Sequence, residues 1–207
     1  MAITIRKPPM KETVGAQYVC FNTVAEDGSW SGKYDSEVEK TEVVKSVKVT
    51  ENAEVVDTYA SGKVYDSDSA ISKTDIEVQL IAFPADTLAR MRGEIVDEGG
   101  LHLAGGKGTR PYFAYGKVVE LKNGKRRFEW FPKCKLAENS DEVATREEKF
   151  SEQSDTIKIS AYGFNQNGDI RAYVDSSAGN FPAGLTEEMF FAKPILTKED
   201  LAAAKTT

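Results

Sequence analysis

The stretch Lys117-Val-Val-Glu-Leu-Lys-Asn-Gly-Lys-Arg-Arg-Phe-Glu-Trp130 carries the strongest local signal in the chain. Asn123-Gly124 favours a tight type I′ turn, because both central residues of that turn need positive φ. A two-residue loop pairs Lys122 with Lys125 and fixes the pairs further out. Val119 then faces Phe128, Lys117 faces Trp130 and Glu120 faces Arg127. An apolar pair, a cation–π pair and an opposite-charge pair all fit that register. A slip of one residue removes all three. The hairpin therefore predicts an antiparallel β protein.

The pattern outside the hairpin agrees. Thr41–Thr50 nearly alternates, with Val43, Val47 and Val49 on one face and Glu42, Ser46 and Lys48 on the other, together with Val44. Ala53–Tyr59 continues in the same style after Glu51-Asn52, which reads as a turn. Lys73–Phe83 sets Ile76, Val78, Leu80 and Ala82 against Asp75, Glu77 and Gln79, a strand with one dry face. Asp155–Tyr162 points Ile157, Ile159 and Ala161 inward. Asn167-Gly168 leads into a further strand over Ile170–Val174. Ser61–Asp66 and Ser31–Asp35 read as turn chemistry.

Helices are few. Pro84–Gly93 is a short one, with Pro84 in the first turn, Leu88 and Met91 on one face and Gly93 as the left-handed cap. Thr186–Phe191 and Thr197–Ala204 predict two more, the second with Thr197 and Asp200 at capping-box spacing. Glu138–Ser154 is polar and charged and reads as a long loop.

Composition limits the function. The 207 residues carry 27 basic and 33 acidic side chains, a formal charge of −6, which is a poor balance for a sequence-reading nucleic-acid binder. No apolar run reaches the ~20 residues of a membrane span, and MAITIRKPPM lacks the apolar stretch of a signal peptide. Cys20, Cys134 and His102 are the whole set of cysteines and histidines, too few for a Cys/His zinc cage or a disulfide framework. Both thiols are expected to be buried and reduced.

Catalytic motifs fail on inspection. Gly28-Ser-Trp-Ser-Gly32 has Trp30 where a hydrolase elbow needs its nucleophilic serine. In Gly99–Thr109, Leu101 occupies the position of the first phosphate-loop glycine, and Gly108 stands where a magnesium-binding hydroxyl belongs. Asp66-Ser-Asp68 lacks the later Gly and Glu of a calcium loop. His102 has no placeable catalytic partner. The expectation is a protein without catalytic, cofactor or metal residues. The basic run Lys122–Arg127, with Lys125 and Arg126 at its centre, reads as a hairpin tip that meets an acidic patch on a partner.

Pro111-Tyr-Phe-Ala-Tyr-Gly116 is followed by this hairpin, by Trp130-Phe-Pro-Lys-Cys-Lys135, by Thr145-Arg-Glu-Glu148 and by Asp155-Thr-Ile-Lys-Ile-Ser160. Lys63-Val-Tyr-Asp66, Ile76–Leu80 and the Pro84–Gly93 helix precede it. This ordered set, spanning about residues 53–170, resembles the major tail protein, or tail tube protein, of long-tailed bacteriophages. The resemblance implies a mainly β fold: a β-sandwich flanked by a short α-helix, a single domain over residues 1–207. It implies an N-terminal arm over about 1–25, an assembly loop over about 138–154 and a C-terminal arm over about 178–207.

The resemblance further implies hexameric rings that stack into a tube. Each subunit lends four strands to an inter-subunit β-barrel through which the genome is ejected. Partners would be further copies of the chain, with tail-tip or baseplate, length-setting and tail-terminator proteins. DNA would only pass through. The site would be the virion tail, after synthesis and assembly in the host cytoplasm. A ring of about 24 strands, spaced ~4.8 Å and tilted ~40°, has a backbone radius of roughly 24 Å and a bore near 38 Å, enough for a duplex. Six chains at −6 each give −36 per ring, so the tube as a whole would not attract DNA.

On this reading Glu42, Ser46, Lys48 and Glu54 face the lumen. Asn52, Glu142, Arg146, Glu147, Lys125 and Arg126 belong to assembly interfaces, and both Glu138–Ser154 and the Glu51–Asn52 turn order against a neighbouring subunit. Two alternatives stand beside it. One is a monomeric β-sandwich that binds carbohydrate on Trp30, Trp130 and tyrosines. The other is the tube of a contractile or bacteriocin-like particle.

Overall fold

A computed structural model describes residues 7–23, 29–60, 63–97, 99–105, 109–140 and 154–205, and of residues 54–60, 64 and 66–70 the backbone alone. The hairpin forms between β7 (Phe113–Leu121) and β8 (Lys125–Ser140). Asn123 and Gly124 both take φ 66°, as a type I′ turn requires. The register, however, slips by one residue from the expected one. Leu121 pairs with Lys125, and three residues lie between the strands. Val118 now faces Phe128, Lys117 faces Glu129 and Glu120 faces Arg126. The slip is favoured because it sets Val118 and Gly116, in place of Val119 and Lys117, beside the buried Phe128 and Trp130 and joins Lys117 to Glu129 at 3.0 Å inside the protein. None of the three expected pairs survives.

β8 organises the remaining strands. Along its first half it pairs with β7 on one side and β10 (Ala172–Asp175) on the other; its second half pairs with β9 (Asp155–Ala161). β1 (Lys11–Phe21) and β2 (Glu39–Thr41) extend the sheet beyond β7, while β4 (Lys63–Leu80) and β3 (Val44–Ala60) extend it beyond β9. The result is one antiparallel sheet of order β2-β1-β7-β8-β9-β4-β3. The fold is thus mainly β, a large antiparallel sheet both of whose halves contribute to one core, with Val19, Phe21, Ile76, Val78, Phe113, Tyr115, Phe131, Ile157 and Ile159. Register shifts in β8 and β1 supply the bends that such a fold needs.

Two expected turns are strands. Glu51-Asn52 lies inside β3, marked only by a register shift at Asn52/Ala53, and Lys63–Asp66 begins β4. The two strands expected at 41–50 and 53–59 are thus one strand, paired with β4 along its whole length. β9 reaches only Thr74 of β4, so the β3–β4 hairpin runs on past the rest of the sheet. A second shift, between Val44 and Ser46, changes the parity of β3. Val44 packs on the core while Val43 is exposed, the reverse of the strict alternation.

The helices match expectation. α1 (Ala85–Arg92) ends at Gly93, whose φ is 69°, and caps the common core with Met91 and Leu88. Its Arg90 guanidinium stacks 4.0 Å from the Phe21 ring and pairs with Asp35. α2 (Glu187–Phe191) is capped by Thr186, and α3 (Lys198–Ala204) carries the Thr197–Asp200 capping box. Both C-terminal helices pack on the outer face of β1, β7 and β8, where Phe190, Phe191, Ile195 and Ala204 form a second core with Tyr18, Phe128 and Trp130. Residues 185–204, within the span expected as an arm, are therefore docked on the sheet; residues 11–21, within the N-terminal one, form β1. Gly116 makes the close approach possible: a Cβ there would meet Phe191 Cε1 at 2.7 Å and the Trp130 ring at 3.0 Å. Within Gly99–Thr109, expected as a loop, β6 (His102–Leu103) pairs with the preceding β5 (Ile95–Val96) in a small hairpin.

Candidate assembly surface

The outer faces of the two sheet halves differ. One is covered by the C-terminal helices. The other, on β3, β4, β9 and the end of β8, is polar in the rows that pair across all four strands, and the described side chains of those rows are exposed or half-buried but for Ser160. Strand pairing arranges it in three rows. Thr50, Asp75, Ser160 and Lys135 form the first; Lys48, Glu77, Lys158 and Glu138 the second; Ser46, Gln79, Thr156 and Ser140 the third. The middle row alternates in sign across all four strands. Three lysines and three carboxylates make the rows electrically neutral.

Local alternation builds this face. β3, β4 and β9 place Val or Ile, and the end of β8 Cys134 and Leu136, in the core with polar residues between, so pairing in register aligns the polar residues. Hydrogen bonds then tie the rows together. Lys158 Nζ lies 2.7 Å from Glu138 Oε2. Asp75 accepts from Ser160 Oγ at 2.9 Å and from Asn52 Nδ2 at 2.6 Å, and Lys73 Nζ approaches it at 3.3 Å. Gln79 Nε2 donates to Ser154 Oγ at 2.8 Å. Partial burial pushes the Asp75 carboxyl up, but the bonds from Ser160, Asn52 and Lys73 outweigh it and hold the group below the usual carboxylate range. Glu138 raises the Lys158 ammonium in the same manner.

The candidate residues fall in different places. Ser46 and Lys48 are on the polar face, as expected. Glu42 is not: it sits between β2 and β3, exposed, with its carboxylate 2.7 Å from Lys40. Glu54 belongs to β3 opposite Ala70, and its side chain lies outside the described atoms. Asn52 is committed within the chain, to Asp75. Arg126 is too: it pairs with Glu187 at 2.9 Å and Glu120 at 3.4 Å, tying the hairpin tip to α2. Lys125 is exposed at that tip. Glu142, Arg146 and Glu147 lie outside the described residues. The residues absent from the expectation are Glu77, Lys158, Glu138 and Asp75. Alternation marked the polar sides of β4 and β9, but only the pairing register sets them in rows with Lys48.

Other expectations resolve individually. Cys20 and Cys134 are free and fully buried, and burial pushes the Cys20 thiol up to about 12. His102 is on the surface hairpin, 3.4 Å from Glu94. Trp130 is fully buried and donates to the Phe190 carbonyl at 3.1 Å. Among the described residues no helix is long and apolar enough to cross a membrane. No protein-family model matches the chain, and no curated protein matches it.

Proposed function

We propose that this chain is a tail tube subunit of a long-tailed bacteriophage, assembling as stacked hexameric rings around a bore for genome ejection. The exposed polar rows of four adjacent strands, with three lysines against three carboxylates, support the reading best. A surface that DNA must slide along has to be wet, so that it does not stick to bases, and near charge balance, so that it neither grips phosphate nor repels it strongly. Its dry reverse side belongs to the folded core, which keeps the strands in register. Four strands per subunit match the share that the family resemblance assigns to the inter-subunit barrel, and closure removes the exposed sheet edges. On this reading the chain has a structural role and performs no catalysis. The same surface would serve the tube of a contractile or bacteriocin-like particle. The carbohydrate-module alternative is weakened, since Trp130 is buried in the second core and cannot stack on a sugar.

Negative-stain electron microscopy of the purified protein, dilute and concentrated, with light scattering, tests the proposal. Hollow tubes or six-membered rings are expected. A chain that stays at 22.8 kDa even with a tail-tip assembly as template would overturn it.

A further inference from the structure

We propose that a cleft between β1 and β3 binds a phosphate-type oxyanion, held by Lys11, Lys45 and Lys117. β2 and β3 stand at opposite ends of the strand order, yet only Glu42 and Val43 separate them in the chain. β3 therefore comes beside β1 without pairing to it. A cleft of about 290 Å³ lies between Lys11–Val14 of β1 and Lys45–Val47 of β3, and Lys117 and Val119 of β7 line it as well. Three strands thus contribute one ammonium group each.

Irregularities in the strands place two of the charged residues. β3 shifts register between Val44 and Ser46, so Lys45 is the extra residue of a bulge. β1 shifts between Lys11 and Thr13, so Glu12 is the extra residue there. Bulges re-aim side chains and are over-represented next to active sites. Lys117 is fixed from behind. It is 8% exposed, and its Nζ lies 3.0 Å from Glu129 Oε2, while Arg127 approaches the other oxygen of that carboxylate at 3.7 Å. Lys11, Lys45 and Lys117 set against Glu12 and Glu129 leave an excess of one positive charge, in a chain of net charge −6. Val14, Val47 and Val119 supply apolar walls, which focus the field of such a cleft and concentrate counter-ions in it. Lysine holds phosphate as a point charge, without the planar fork of arginine. An anion here joins two strand edges that no ladder joins, so it binds the folded chain and stabilises it. The site is complete within one subunit and is independent of the tube reading.

Thermal unfolding of the full chain in sodium phosphate, against sodium chloride at equal ionic strength, tests the site. The midpoint is expected to rise with phosphate and to saturate. Phosphate also stabilises proteins through its exclusion from their surface, an effect that needs no particular side chain. Lys11→Gln and Lys45→Gln separate the two effects. Both lysines are exposed, so folding should persist, and each change should weaken phosphate binding about tenfold. Lys48→Gln, on β3 outside the cleft, should leave it unchanged. Backbone amide resonances of residues 11–14 and 45–47 should shift as phosphate is added. A short labelled DNA duplex distinguishes the sources of the phosphate group. Binding that depends on Lys45 and is competed by phosphate assigns the site to a nucleic-acid backbone; no duplex binding beside a saturable phosphate response assigns it to the free ion. A midpoint that rises without saturating, or by the same amount in both glutamine variants, overturns the proposal. An equal response to sodium acetate overturns it too, since the cleft would then not distinguish phosphate from any other anion.

Discussion

The two halves of the sheet use the same strand chemistry to different ends. In the half built from β1, β7 and the start of β8, both faces are dry. β7 reads Phe-Ala-Tyr-Gly-Lys-Val-Val-Glu-Leu, and all but Glu120 are buried. In the half built from β3, β4 and β9, each strand is dry on one side only, and the other side carries the charged rows. The first half is a fastening: Tyr18 stacks on Phe191 at 3.9 Å, and the indole of Trp130 is hydrogen-bonded to α2. The second half is a display. Substitutions should therefore be costly for stability in the first and nearly silent in the second, where their effect should fall on assembly and passage.

The sharpest way to break the contrast is Trp130→Ala, which empties the centre of the second core. A loss of about 3–5 kcal/mol is expected from chemical denaturation. Gly116→Ala adds one methyl against Phe191 and Trp130 and should cost about 1–3 kcal/mol, since neither ring can retreat from a packed core. On the display side, Ser160→Ala removes one bond to Asp75 and should cost about 1 kcal/mol. Lys158→Ala, at an exposed pair, should leave the thermal midpoint nearly unchanged; a large drop would mean that the polar face is structural. Replacing both Glu77 and Glu138 by Lys makes the face basic. It should leave folding intact and give assembled tubes a salt-sensitive affinity for duplex DNA, read by filter binding.

Acid adds a graded test that spans both halves. Asp75 on the display side is held below the usual carboxylate range by Ser160, Asn52 and Lys73. Asp175, at the margin of the fastened half, is pushed up by partial burial but held below that range more strongly by Ser177 and Arg127. A carboxyl whose folded value is lower than its unfolded value favours the folded state when ionised. That contribution is complete above the unfolded value and is lost as pH falls through the folded one. The melting temperature should therefore hold from neutrality to about pH 5 and decline below about pH 4. Asp75→Asn should melt lower at neutral pH and decline less steeply.

Much of this was legible in the sequence. Alternation gave the dry faces of β4 and β9, proline and glycine bounded α1, and the threonine caps marked α2 and α3. These signals are local, and a local signal survives folding. What failed depends on pairing. The hairpin register turned on whether Lys117 would face Trp130 or Glu129, and burial of Phe128 and Trp130 against helices some 60 residues away decided it. The shift at Val44/Ser46 reversed the roles of Val43 and Val44, which no alternation rule registers. Glu51-Asn52 has turn composition, yet pairing with Thr74 and Lys73 holds it extended. The charged rows combine residues from four strands, so only Ser46 and Lys48 could be named beforehand.

The central claim is that the polar face looks into a closed bore, and thiol accessibility at Ser46 tests it most directly. Both native cysteines are fully buried, so a single Ser46→Cys variant reports alone. A maleimide on a polymer too wide for a bore near 38 Å should label the monomer readily and assembled tubes far more slowly, while a small maleimide labels both. Equal rates for the wide reagent on tube and monomer would contradict the account.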